Sequence, residues 1–157
     1  MATETGGMRR HEKSMERPDI EAFLEDQVVA HLATRGEDGQ PYVVPLNYAY
    51  RPGRFIFHSA REGRKIRNIL ADPRVCVEVS VMHRVKEAEN SCDHSVSYTS
   101  AVAVGRARIL SGDQAQEALQ ALADRFAPQA PALDSTAARG VAVIEVEVEH
   151  LTGKHSP

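Results

Sequence analysis

Phe55-Ile-Phe-His-Ser-Ala-Arg-Glu-Gly-Arg-Lys-Ile-Arg-Asn-Ile-Leu-Ala-Asp-Pro73 is the stretch whose reading decides the fold. Phe55 to His58 reads as a short strand, His58 and Ser59 as a polar elbow, and Glu62 to Leu70 as a helix. Ile66, Ile69 and Leu70 share one face at helical spacing, and Asp72-Pro73 stops the helix. Its first turns carry Arg61, Arg64 and Lys65. A hydroxyl, the free N–H groups of a helix start and clustered cations together make an anion-binding site. A phosphate-bearing cofactor is the natural guest. The same cations, with Arg67, also fit an ordinary solvated helix face.

Outward from this stretch the chain reads as strands with short connections. Val28 to Thr34 is apolar and β-prone, Gly36 to Pro41 is dense in turn formers, and Tyr42 to Tyr50 resumes as a strand. Pro45 interrupts it. A central strand resists proline, so Pro45 marks an edge, a bulge or a place where something other than a strand approaches. Arg51 to Arg54 is the next turn. In Arg74 to Ser80, Val75, Val77 and Val79 alternate with Cys76, Glu78 and Ser80, as in a half-buried strand. Val81 to His94 has no clear period and reads as a loop. Ser95 to Leu110 is one long strand with Gly105 as a bulge or close-approach point. Asp113 to Phe126 is an amphipathic helix, with Ala115, Ala118, Leu119, Leu122 and Phe126 in its stripe. Residues 128–139 are a Pro/Ala-rich connection, and Val141 to Glu149 is the last strand. About six strands and two or three short helices result, a helix near Pro18 among them. Hairpin connections dominate, and closure removes exposed sheet edges, so a small antiparallel barrel fits better than an open sheet.

The chain has 157 residues and a formal net charge of −3. That length suits one domain. The charge argues against nonspecific nucleic-acid binding, which needs a basic surface, and no apolar run approaches the ~20 residues that span a bilayer. Residues 1–16 read as a flexible, charged arm without a signal-peptide middle, residues 17–152 as the domain and 153–157 as a disordered tail. Two cysteines, Cys76 and Cys92, are too few for a disulfide framework. A cytoplasmic protein with reduced thiols is expected.

Six segments then line up with a known pattern. Arg9-Arg10 opens the arm, and His31-Leu-Ala-Thr34 precedes Asp38-Gly-Gln-Pro-Tyr-Val-Val-Pro-Leu-Asn-Tyr48. Next come Phe57-His-Ser-Ala60 with Gly63-Arg-Lys65, Asp72-Pro-Arg-Val-Cys76, and Cys92-Asp93 ahead of Tyr98-Thr-Ser100 and Gly105-Arg-Ala107. In order and spacing this resembles the pyridoxamine 5′-phosphate oxidase-like flavoproteins, in the branch of the Nim-type nitroimidazole reductases, over roughly residues 9–150. The resemblance implies a mainly β fold, a six-stranded antiparallel split β-barrel of the FMN-binding type, that pairs as a homodimer and binds FMN at the dimer interface. It implies an FMN-dependent reductase of small aromatic compounds, with a link to nitroimidazole resistance. Haem-binding and deazaflavin-binding barrels share the fold, as do true pyridoxamine 5′-phosphate oxidases. These remain alternatives, though the oxidase would need a second cationic cluster for its substrate's phosphate.

Residue by residue, the resemblance places the phosphate near Ser59, Ala60, Arg64 and Lys65, and the backbone of Pro45, Leu46 and Asn47 against the flavin ring edge, where hydrogen bonds tune its electronics. His58 is the candidate catalytic residue. It would stack on the ring, donate a hydrogen bond or supply a proton, since an imidazole serves in both protonation states. It also fits a structural histidine. Tyr98 and Ser100 match positions that relatives use around the cofactor, often from the second subunit, and equally fit polar decoration of a sheet. His83, Cys92, Asp93 and His94 contain metal-ligating types, but the spacing is not that of a common zinc motif, so no metal site is expected and the loop reads as shaping a substrate pocket or simply connecting strands.

Overall fold

The computed structural model describes residues 10–157. In it the alternating apolar positions close on one another. The strands are β1 (Val29–Arg35), β2 (Pro41–Arg51), β3 (Arg54–Ser59), β4 (Arg74–Lys86), β5 (Ser95–Leu110) and β6 (Ala142–Ser156). All pairings are antiparallel, and the sheet closes as a barrel in the order β1-β2-β3-β6-β5-β4. The helices are α1 (Arg17–Asp26), α2 (Arg64–Ala71) and α3 (Gly112–Phe126).

Period-two side chains of the strands fill the barrel. Leu32, Tyr48, Phe55, Phe57, Val77, Val79, Ile144 and Val146 are all buried, and Phe55 and Phe57 lie stacked with centroids 6.1 Å apart. Each large apolar side chain so buried contributes about 1.5–3 kcal/mol against conformational entropy. Ile20 and Leu24 of α1 and Ile66 and Ile69 of α2 join the same core. The apolar stripe of α3, Ala115, Ala118 and Leu122, packs instead on the outside of the barrel against Ala49, Ile56, Leu110 and Val143.

Two tertiary groups close the C-terminus of α1, where the last carbonyls have no helical partner. The Tyr48 hydroxyl donates to the Leu24 carbonyl at 2.7 Å, and the Arg125 guanidinium donates to the Gln27 carbonyl. Burial pushes the Tyr48 phenol well above its ordinary range, with Arg125 opposing. Gly105 sits where β5 shifts register against β6, and an added Cβ there would overlap the Glu147 carbonyl oxygen. Only glycine permits that approach.

The structure corrects several expectations. The segment read as a loop from Val81 is strand as far as Lys86. Its period was hidden for two reasons: beyond Val81 most side chains are exposed, and the pairing slips between Met82 and Arg84, which breaks the alternation. Residues 153–156 are the end of β6, not a disordered tail, paired with β5 from Tyr98 to Ala101. A buried Gly153 faces Ile20 and Met15 there. Of the expected flexible arm, residues 1–9 lie outside the described residues, whereas His11–Lys13 forms a 3-10 turn and Ser14 bridges Lys154. Helix α2 begins at Arg64 rather than Glu62.

Candidate functional site

The site is built where the barrel is split. Strand β2 pairs with β1 along Pro41 to Asn47, but with β3 only from Tyr48 to Arg51. Beyond Phe57, β3 stays with β6, pairing His58 with Val143 and Ser59 with Ala142. Among the described residues no strand takes the second edge of β2 ahead of Tyr48. Proline is tolerated at position 45 on such an edge, and the backbone of Pro45, Leu46 and Asn47 keeps an edge for another partner. The side chains divide as the pleat dictates: Pro45 and Asn47 are exposed on the outer face, and Leu46 packs into the core. Any contact from Leu46 to a ligand is therefore through its backbone. Asn47 donates to the Val28 carbonyl at 3.3 Å, which ties β2 to the link between α1 and β1.

His58 and Asn47 together edge a cavity of about 330 Å³, walled by Leu119, Leu122, Ala123 and Phe126 of α3 and by Leu133. His58 is exposed at its rim, outside the barrel. These wall residues were not singled out from the sequence as site residues. Their apolar stripe reads as core packing, and Ala115, Ala118 and Leu122 do pack so. Phe126, with 44% of its surface exposed, is the sign that the stripe outruns the core.

The basic turn follows directly. Ser59 ends β3 and its hydroxyl donates to the Ala60 carbonyl at 3.0 Å. Gly63, at φ 132°, turns the chain into α2, and a Cβ there would meet nothing within 4 Å, so the turn is open. The Arg64 guanidinium lies over the Tyr42 ring at 4.9 Å, a contact that holds it without a carboxylate. Lys65 is half-buried. Among the described residues none of Arg61, Arg64, Lys65 or Arg67 is in an ion pair, whereas Arg17, Arg51, Arg54, Arg74 and Arg108 each face a carboxylate. Arg61 lies outside the helix and donates to the Arg139 carbonyl at 2.7 Å, which fastens the turn to the segment before β6. Arg64 and Arg67 also line a 570 Å³ hollow with Gly36, Glu37 and Asp38.

Pro45, Asn47, His58, Ser59, Ala60, Arg64 and Lys65 thus lie on adjoining parts of one chain. Tyr98 and Ser100 do not join them. They face outward on β5, opposite Met82 and Ser80 of β4, with β1 and β4 between them and β2. At ~4.8 Å per strand that is roughly 14 Å of sheet. The cluster His83, Cys92, Asp93 and His94 is not assembled either. His94 bonds the Ala88 carbonyl at 2.8 Å and His83 bonds Thr99. Among the described residues no three His, Cys, Asp or Glu side chains form a metal-binding group. Cys76 is half-buried and its thiol is pushed up by burial and then by Glu78, which makes it a poor nucleophile. No helix among the described residues is long and apolar enough to cross a membrane.

Comparison with known proteins gives this arrangement a family. The model of the family described as pyridoxamine 5′-phosphate oxidase matches residues 16–155. No curated protein sequence matches. Among solved structures, a candidate 5-nitroimidazole antibiotic resistance protein from Bacteroides thetaiotaomicron superposes with a TM-score of 0.78 at 25% identity, over 90% of this chain and 85% of that one. The FAD and haem binding protein from Mycobacterium smegmatis gives 0.83 at 21%, over 92% and 73%. The flavocytochrome Anf3 from Azotobacter vinelandii gives 0.84 at 19%, over 96% and 72%. At those identities the last two establish likeness of fold alone.

Proposed function

The chain belongs to the pyridoxamine 5′-phosphate oxidase family, and from that premise we propose that it is an FMN-dependent oxidoreductase reducing small aromatic, nitroimidazole-like compounds at a flavin held between two copies of the chain. The observation that carries the reading is the unpaired basic turn, Ser59 to Lys65, beside the open edge of β2 and the cavity at His58. These residues fit FMN: a hydroxyl and two cations that no carboxylate pairs among the described residues suit a phosphate, the N-terminus of α2 adds its dipole and free N–H groups, and the strand edge offers backbone groups to a flat ring with polar rims.

FMN supplies the electron-transfer chemistry when bound. The protein's part is to hold and orient. Arg64 and Lys65, with the Ser59 hydroxyl, bind the phosphate. The backbone of Pro45 to Asn47 meets the ring edge. His58 holds a proton for the reduced substrate on its imidazole, and Leu119, Leu122 and Phe126 exclude water from the substrate's side. Among the described residues no Lys or Arg lines the cavity, which favours neutral aromatic substrates over pyridoxamine phosphate with its own phosphate dianion.

The homodimer belongs to the same proposal. Tyr98 and Ser100 reach a flavin only from a second copy. The outer face that would pair carries Val43, Met82 and Val102, exposed at 59%, 63% and 37%. Patches of this kind mark interfaces.

The test is an absorption spectrum of the purified protein after FMN loading and desalting, followed by anaerobic photoreduction of the bound flavin with EDTA as electron donor and its reoxidation by a nitroaromatic, which takes up the electrons. Retained flavin absorbance and turnover are expected, both lost in the Arg64→Ala, Lys65→Ala double variant. A protein that rejects FMN and takes up haem or a deazaflavin keeps the barrel and overturns this function.

A further inference from the structure

Past the barrel's crowded middle, β4, β5 and β6 continue side by side, pairing Val81 to Lys86 with Ser95 to Thr99 and Tyr98 to Ala101 with Gly153 to Ser156. His83 is the extra residue of a bulge there, where the register steps from Met82 opposite Tyr98 to Arg84 opposite Ser97. A bulge re-aims a side chain. His83 Nε2 lies 2.9 Å from Thr99 Oγ1, and His155 Nδ1 lies 2.9 Å from the same oxygen. The two rings have centroids 6.2 Å apart, inclined at 54°. Thr99 is buried, while His83 and His155 are exposed. The two outer strands therefore each send an imidazole nitrogen to one point above the middle strand. The hydroxyl at that point has a single proton. With neutral rings it donates to one nitrogen and accepts from the other, so one of the two is already a bare lone pair.

We propose that His83 and His155 form a two-imidazole site for a borderline divalent cation, of the class of Cu(II), Ni(II) or Zn(II), which takes the point occupied by the Thr99 hydroxyl. Imidazole nitrogen suits these ions and not Mg(II) or Ca(II), which want carboxylates. Closing from 2.9 Å to a metal–nitrogen bond of about 2.0–2.1 Å asks each exposed ring to move by about 0.8 Å. Thr99 yields by turning about χ1. Waters complete the shell, an arrangement of nitrogen and oxygen donors that favours Cu(II) most, in line with the usual order of divalent affinities. Bound there, the ion clamps β4 to β6 across β5. It holds the end of β6, against which Ser14 is bridged through Lys154 and Lys13 is bonded through Ser156 at 2.9 Å. The site shares no residue with the flavin site and stands whether or not FMN binds.

The test uses the full-length protein, stripped with a chelator and titrated with Cu(II), followed by calorimetry and electron paramagnetic resonance. One tightest site per chain is expected, with hyperfine structure from two imidazole nitrogens and a rise in melting temperature. His83→Ala and His155→Ala should each weaken that site by roughly tenfold or more and abolish the thermal shift. Thr99→Ala, which keeps both imidazoles and clears the point between them, should retain it, and His94→Ala and His150→Ala should leave it unchanged. Circular dichroism verifies folding of each variant before titration. An unchanged affinity in either His83→Ala or His155→Ala, a spectrum with a single nitrogen, or loss of the site in Thr99→Ala overturns the proposal.

Discussion

His58 and Tyr48 show how differently two polar residues of one sheet serve the molecule. His58, one residue before the end of β3, is exposed at the cavity rim, so its removal disturbs no core. On the proposed mechanism, His58→Ala lowers nitroaromatic turnover by about a hundredfold, the scale of lost proton transfer, and leaves FMN affinity within about twofold. Equal turnover in the variant would remove His58 from the chemistry. Tyr48 is fully buried, and its hydroxyl is the partner of an α1 carbonyl. Tyr48→Phe leaves that carbonyl unsatisfied and is expected to cost about 1–2 kcal/mol, read from urea unfolding. The cysteines separate by environment: alkylation of the native protein should modify exposed Cys92 well before Cys76, whose thiol burial pushes up. His58, Ser59, Arg64 and Lys65 were legible in the sequence because hydroxyl, cations and helix start are consecutive. The His83–Thr99–His155 cluster was not, because it depends on a bulge and on strand pairing across many residues.

At the scale of elements, the strongly periodic pieces were readable and the extensions were not. β1, β2, β3, α2 and α3 fall within a few residues of their sequence reading, since one face of each is buried in the core. The second half of β4 carries no such face, and the buried positions at the end of β6, Gly153 and Ser156, are small and not apolar, so nothing in their composition announced a strand. The wall that α3 gives the cavity was hidden for the converse reason: Leu119, Leu122 and Phe126 look like core. Gly105 was readable as a close approach, and the register shift at Val104/Gly105 places it there. Gly105→Ala should wedge β5 from β6 and cost about 1–3 kcal/mol, as overpacking does. A melting curve coincident with that of the native protein would contradict the close approach.

For the whole molecule, closing the sheet buries two tyrosines whose phenols resist ionisation. Tyr48 is raised by burial, and Tyr50 by burial and by Glu21 against the Gly53 N–H. In the unfolded chain both ionise at an ordinary pKa near 10.0, while the native forms hold their protons to higher pH. Their stabilising contribution is therefore complete below pH about 10 and is lost as the pH climbs beyond it. Urea midpoints should fall between pH 8 and about pH 11, and less steeply in Tyr48→Phe.

The fold, the open edge of β2 and the unpaired basic turn meet in one claim, that this barrel holds a flavin by its phosphate. A fluorescence titration comparing FMN with riboflavin, which lacks the phosphate, addresses it most directly. The account expects FMN to bind at least about a hundredfold more tightly, on the scale of charge-assisted bonds to a phosphate, and expects Lys65→Ala with Arg64→Ala to erase the difference. Equal affinity for the two ligands, or a difference that survives in that variant, would contradict it.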